Sequence, residues 1–130
     1  MTKRWLWLAL GCIVMAALAA SLAMGHARLR VADTVPAPGA LLTESPKEIK
    51  LVFSVEPGGL IPDQSLFWVV RQGPDEVVAV GKVDLSVADR NVMRVELKER
   101  LGSGVYLVKW VAISLQDKGF AEGSYSFAVK

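Results

Sequence analysis

His26 is the only histidine in this 130-residue chain, and Cys12 is the only cysteine. These two counts remove much of the usual enzyme repertoire. A Ser-His-Asp or Cys-His site would have to rest on one histidine in the N-terminal segment. A three-histidine zinc site and a two-histidine copper brace both need more imidazoles than the chain has. No glycine-rich phosphate loop stands between a strand and a helix, so the expected class is not an enzyme. What His26 can do depends on where the mature chain begins. At a free N-terminus, its α-amino nitrogen and its imidazole close a chelate ring on one metal ion. Two nitrogens joined by a carboxylate oxygen suit tetragonal copper(II). The amine, with an ordinary pKa of about 7.7–8, gives up its proton easily to a metal. Without that cleavage His26 is one exposed histidine and nothing more.

The N-terminal residues address the cleavage directly. Lys3 and Arg4 are followed by an uncharged stretch, Trp5 to Met24, that ends in small residues at Ala19, Ala20, Ser21, Ala23 and Gly25. A positive start, an apolar run and small residues before a cut make up a secretory signal. The division expected is residues 1–25 as a cleavable signal peptide and 26–130 as the mature domain. Left uncut, the same run is long enough to anchor the chain in a bilayer. Ala23-Met24-Gly25 satisfies the small-x-small rule and leaves His26 first. Ser21-Leu22-Ala23 and Gly25-His26-Ala27 also satisfy it, and the last of these removes the histidine.

Export changes the charge balance. The whole chain has 15 Lys and Arg against 13 Asp and Glu, and loss of Lys3 and Arg4 leaves 13 against 13. A neutral domain has no electrostatic footprint for nucleic acid or anionic lipid. Any membrane contact therefore runs through an uncut leader. Cys12 leaves with that leader, so the mature domain has no disulfide and no thiolate metal site. Gly11-Cys12 also permits a lipoprotein cut, but only Trp5 to Leu10 would precede it, and Ala9 stands where a larger aliphatic is usual.

Past His26 the chain reads as short strands separated by turn residues. Leu29 and Val31 lie in a brief alternating segment before Pro36-Ala37-Pro38-Gly39. Ile49, Leu51 and Phe53 alternate with Lys50, Val52 and Ser54 ahead of Pro57-Gly58-Gly59. Further candidate strands are Leu66 to Arg71, Val77 to Val83, Asn91 to Leu97, Val105 to Ile113 and, opened by Gly123, Ser124 to Val129. This pattern predicts an all-β, seven-stranded Greek-key β-sandwich of the Ig-like kind. Phe53, Phe67, Trp68, Tyr106, Trp110, Tyr125 and Phe127 are assigned to its core.

A family resemblance joins these observations. His26-Ala27-x-Leu29, Pro36-Ala37-x-Gly39-Ala40-x-Leu42 and Pro46-Lys47-Glu48-Ile49-x-Leu51-x-Phe53-Ser54 resemble the opening of periplasmic CopC-type copper-resistance proteins. Gly104-x-Tyr106-x-Val108-x-Trp110 and Gly123-Ser124-Tyr125-Ser126-Phe127-x-Val129 continue the likeness, while Glu56 to Arg100 agrees only in length and strand rhythm. The resemblance implies a periplasmic β-sandwich with a copper(II) site. Its ligands would be the N-terminal histidine, giving amine and imidazole, and an Asp-x-His pair before the last strand.

His26 stands at the first ligand position. Asp117 matches the family aspartate, lying six residues before Gly123. The next positions depart from the usual Asp-Gly-His-Pro. Lys118 takes the glycine position, Gly119 the second histidine position and Phe120 the proline position. The metal ligands expected are thus His26 and Asp117, with Glu122 a spare carboxylate and a turn-forming role equally open to Asp117. Met93 is the only methionine beyond the leader, so a methionine-rich copper(I) site is not expected. The resulting expectation is a copper(II) carrier with a weakened site, its partners being the ion and an inner-membrane copper importer. The competing expectation is a metal-free sandwich that contacts an envelope protein through strand edges or loops. A histidine restored at position 119 is expected to raise copper affinity.

Overall fold

The computed structural model of the protein describes residues 26–130; the expected signal peptide, 1–25, lies outside the described residues. Alternation with period two extends the chain, because successive side chains on a strand point to opposite faces. Eight strands result: β1 (Arg28–Leu29), β2 (Leu41–Leu42), β3 (Glu48–Ser54), β4 (Leu66–Arg71), β5 (Glu76–Val83), β6 (Val92–Glu96), β7 (Gly104–Ile113) and β8 (Phe120–Val129). The only helical element among the described residues is a 3₁₀ turn at Val31–Asp33. No helix among them is long and apolar enough to cross a membrane.

The strands are hydrogen-bonded in the order β1-β3-β6-β5-β4-β7-β8-β2. This order wraps around one core. β5 makes the fold-over: it pairs with β4 through Lys82 and with β6 at Lys82 and Val83. The β3–β6 layer thereby faces the β4–β7–β8 layer, and the Phe53 ring meets the Trp110 ring edge-on at a centroid distance of 5.2 Å. β4, β5 and β6 are successive antiparallel neighbours, with β3 returning beside β6, which is a Greek-key arrangement. Ile49, Leu51, Phe67, Val69, Met93, Val108 and Ala112 fill the interior with no solvent exposure. Tyr106 starts β7 on that face, and its hydroxyl donates to the Gly102 carbonyl at 2.7 Å. Such a tyrosine corner is a recurrent feature of Ig-like sandwiches.

The all-β sandwich expected from the sequence is what the chain forms, with three differences in detail. Eight strands replace seven, because Leu41–Leu42 adds a short parallel strand beside the end of β8. Val31 turns into the 3₁₀ segment rather than extending β1. Trp68 is only half-buried and lies outside the core. Phe67 and Trp68 are adjacent on β4, so they face opposite sides, and Phe67 takes the inside.

Gly123 also has a different job from the one expected. It does not open the last strand but lies inside β8, directly opposite Trp110. A Cβ at Gly123 would fall 2.4 Å from the Trp110 ring, so the missing side chain is the seat of the indole. Phe67 sits over Gly81 on the paired strand in the same way.

Candidate metal centre

His26 and Asp117 come together at one end of the sandwich. Ala27, 4% exposed, is packed into the core, and Arg28 and Leu29 pair with Ser54 and Phe53 of β3. This pins the N-terminal segment and fixes where His26 emerges. Asp117 belongs to the short loop between β7 and β8. That loop is closed by the Ser114 amide donating to Gly119 and the Lys118 amide donating to Ser114. It is tied to the neighbouring 56–61 segment by the Leu115 amide, which donates to the Gly59 carbonyl at 2.9 Å.

The carboxylate of Asp117 divides its two oxygens between tasks. Oδ1 accepts the Gly119 amide at 2.7 Å, the side-chain-to-backbone bond of an Asx turn. Oδ2 is left 3.8 Å from His26 Nδ1. Both side chains are about one-third exposed, at 38% for His26 and 34% for Asp117. The two roles weighed for Asp117 are therefore compatible, since the turn uses only one oxygen. Glu122 points outward from β8 opposite Val111 and makes no ion pair with the loop.

The imidazole nitrogen facing the carboxylate is the one a terminal chelate would use. A metal bound by the His26 backbone nitrogen and Nδ1 closes a six-membered ring, whereas Nε2 lies on the far side of the imidazole. Nδ1 is buried and has no hydrogen-bond partner. An orphaned buried polar nitrogen costs free energy unless something satisfies it. In donor type, Nδ1 and Oδ2, together with the amine that cleavage before His26 would free, fit a copper(II) ion. Among the described residues no group of three or more His, Cys, Asp or Glu side chains converges, so the chain supplies only two side-chain donors here.

Gly119 contributes more than the loss of a ligand. A Cβ at position 119 would fall 2.0 Å from His26 Nδ1 and 2.8 Å from Asp117 Oδ1. The Nδ1–Cε1 edge of the imidazole thus lies against Gly119, in space that any other residue would claim. Opening Nδ1 to an ion requires the ring to swing off this seat. Lys118 carries a left-handed backbone, φ 58°, where glycine is the favoured residue. The contact between Gly119 and His26 has no signal in the sequence, because it joins residues far apart along the chain. The left-handed turn does have one, since the related motif carries glycine at that place. Met93, by contrast, is fully buried in the core and is no surface ligand.

An Ig-like β-sandwich with a histidine just ahead of its first strand and an aspartate in the loop before its last is the class these features define. The chain belongs to the CopC family: the CopC domain profile matches residues 31–130. Among solved structures it is similar to PcoC, a methionine-rich copper resistance protein from Escherichia coli, at 29% identity and a TM-score of 0.59. That match covers 81% of this chain and 99% of PcoC. A second structure, selenomethionine PcoC from the same organism, matches at 22% identity and a TM-score of 0.50 over 79% of this chain and 99% of that one, which bears on the fold alone. A search of the curated proteins gave no match.

Proposed function

We propose that the protein is exported to the periplasm, loses residues 1–25, and serves copper resistance or homeostasis as a non-enzymatic copper(II) carrier with a weak site. The observation that carries this reading is the orphaned Nδ1 of His26 turned towards the free oxygen of Asp117. Family membership and the likeness to a copper resistance protein support it. Cleavage before His26 would add the terminal amine and bring three donors to one point. Water or a ligand lent by a partner would fill the remaining place. Delivery of the ion to an inner-membrane copper importer is the step such a carrier would perform. With Nδ1 lying against Gly119, binding needs a small outward rotation of the imidazole, which favours exchange over tight retention.

The test starts with mass spectrometry of the exported protein, which should give a chain beginning at His26. Copper(II) titration followed by d–d absorption and electron paramagnetic resonance should then show a mixed nitrogen and oxygen environment. Asp117→Asn separates ligand from turn residue, because its amide oxygen still accepts the Gly119 N–H while the charge is gone. The carrier reading expects copper affinity to fall by about tenfold or more with thermal stability unchanged. An unprocessed N-terminus, or no binding at micromolar copper, sinks it.

A second reading has its own observation. The imidazole packed on Gly119 closes Nδ1 without any metal. In that case the sandwich is a metal-free interaction module of the cell envelope, and copper titration of the mature chain stays silent.

A further inference from the structure

The two ends of the strand order are closed to different degrees. On β3 the chain covers the outer edge from Lys50 to Ser54. Arg28 and Leu29 pair with Ser54 and Phe53, the Arg30 amide donates to the Val52 carbonyl, and Val35 exchanges two hydrogen bonds with Lys50. On β8 the cover stops part-way. The Gly39 amide donates to the Ser126 carbonyl at 2.7 Å, the Ala128 amide to Ala40 at 2.9 Å and the Lys130 amide to Leu42 at 2.8 Å. These even-numbered residues turn their backbone groups away from β7. Backbone groups alternate sides along a strand, so Phe120, Glu122 and Ser124 turn theirs the same way. Among the described residues nothing pairs with them.

A row of open N–H and C=O groups therefore runs along about 17 Å of β8, from Phe120 to Tyr125. Phe120 is 54% exposed, and Glu122 and Ser124 are exposed as well. Proteins usually guard such an edge with proline, lysine or a bulge. The stretch from Phe120 to Tyr125 has neither residue, and β8 stays in unbroken register with β7. A second observation lies beside it. Trp110 is 9% exposed, and its Nε1 is buried without a hydrogen-bond partner. With Trp68, Lys109, Glu122, Gly123 and Ser124 it lines a surface cleft at the middle of this edge.

We propose that the free edge of β8, Phe120 to Tyr125, takes an extended segment of a partner protein as an added strand. Another extended backbone carries donors and acceptors at the repeat of about 6.8 Å that alternate strand residues set. The fold already uses this mode, since β2 docks on the other half of the same edge. Register dictates what the partner segment carries. Phe120, Glu122 and Ser124 share one face of β8. A matching segment has an apolar residue, a lysine or arginine, and a small polar residue at alternate positions, with the cation opposite Glu122. A second copy of this chain is a poorer occupant. Antiparallel pairing of two β8 edges through all three residues sets Glu122 of one copy against Glu122 of the other, like charges directly opposite. The edge begins one residue from Gly119, so the docked segment ends beside His26 and Asp117. Docking itself does not depend on copper, because its bonds are made by the β8 backbone.

The probe is an acetylated and amidated peptide, Thr-Val-Lys-Thr-Leu-Ser, whose antiparallel docking sets its threonine, lysine and leucine opposite Ser124, Glu122 and Phe120. Amide chemical shifts of the exported protein are followed without copper, up to about 3 mM peptide. A dissociation constant of about 0.1–1 mM is expected. The largest shifts, with slowed hydrogen exchange, should fall at Phe120, Glu122 and Ser124. Ser124→Pro removes only an outward N–H, because the bonds to β7 belong to the odd-numbered residues. It should weaken binding by about tenfold or more with an unchanged melting temperature. Methylating the lysine amide of the peptide blocks the same ladder from the other side and should do likewise. Glu122→Lys should weaken the lysine peptide by about threefold and strengthen its glutamate analogue by as much. No shifts, shifts away from β8, or binding indifferent to both Ser124→Pro and the methylated peptide overturns the inference. Failure of the charge exchange at Glu122 overturns the basic partner. A dimer of the parent chain that Ser124→Pro abolishes overturns it in favour of a second copy. Copper titration is scored separately: a chain that takes the peptide and no copper sinks the carrier reading and supports this one.

Discussion

At the scale of single residues, the site turns on Gly119. By the family resemblance it stands where a second histidine ligand is expected. In the folded chain it is also the platform of the His26 imidazole, so a side chain there acts twice. Gly119→Ala supplies only the Cβ: it pushes the imidazole outward and adds no donor. Gly119→His pushes the ring outward and adds a second imidazole beside Asp117. Copper(II) titration should show Gly119→Ala within about threefold of the parent, and Gly119→His tighter by at least tenfold, about 1.4 kcal/mol. Equal affinities for the two variants would remove Gly119 from the proposed site. The candidacy of His26 and Asp117 was legible in the sequence through the family spacing, as was the glycine where that spacing expects a second histidine. Their 3.8 Å approach and the occlusion of Nδ1 were not, because both depend on how the N-terminal segment docks beside β3.

At the scale of elements, β7 and β8 form the longest pairing, ten residues in register from Gly104–Val129 to Ile113–Phe120, and the site loop is their connection. The position of Asp117 is inherited from that ladder. Its weak point is the Trp110–Gly123 pair, where the indole occupies the place of a side chain. Gly123→Ala forces the ring out of its seat and away from Phe53, an overpacking cost of about 1–3 kcal/mol. Urea unfolding should register this as a lower midpoint with an unchanged slope. A neutral result would mean that the Trp110 ring has room to shift. Reading Gly123 as a turn residue followed from treating glycine as punctuation. The partner that explains it sits 13 positions earlier in the chain, on the neighbouring strand. The sheet edges are managed by short pieces: β1 covers one end of β3, and β2 covers the end of β8.

At the scale of the whole molecule, burial leaves a record in the titration of Tyr125. Its hydroxyl is buried without a hydrogen-bond partner, and burial pushes the phenol well above its ordinary range. The sign follows from linkage. A raised pKa means that the folded state holds the proton more firmly than the unfolded chain. The associated stability is complete below about pH 10 and is lost as pH rises from there towards the folded value. Tyr125→Phe removes this dependence. Unfolding free energies of parent and variant should run parallel below about pH 10 and then diverge, the parent falling faster by at most about 1.4 kcal/mol per pH unit. Curves that stay parallel to pH 11 or so would place the Tyr125 hydroxyl in contact with water.

The sequence by itself determined the strand rhythm, the β-sandwich class and the two residues that head the candidate site. Period-two patterning and turn chemistry are local properties, and family spacing preserves them. Tertiary structure alone decided which side each strand presents, which glycines seat an aromatic ring, and that His26 rests on Gly119 opposite Asp117. It also decided that Arg94 of β6 would meet Glu48, Asp84 and Glu96 in ion pairs. Those outcomes depend on register between strands distant in the chain, and register is fixed only when the two layers close on a common core.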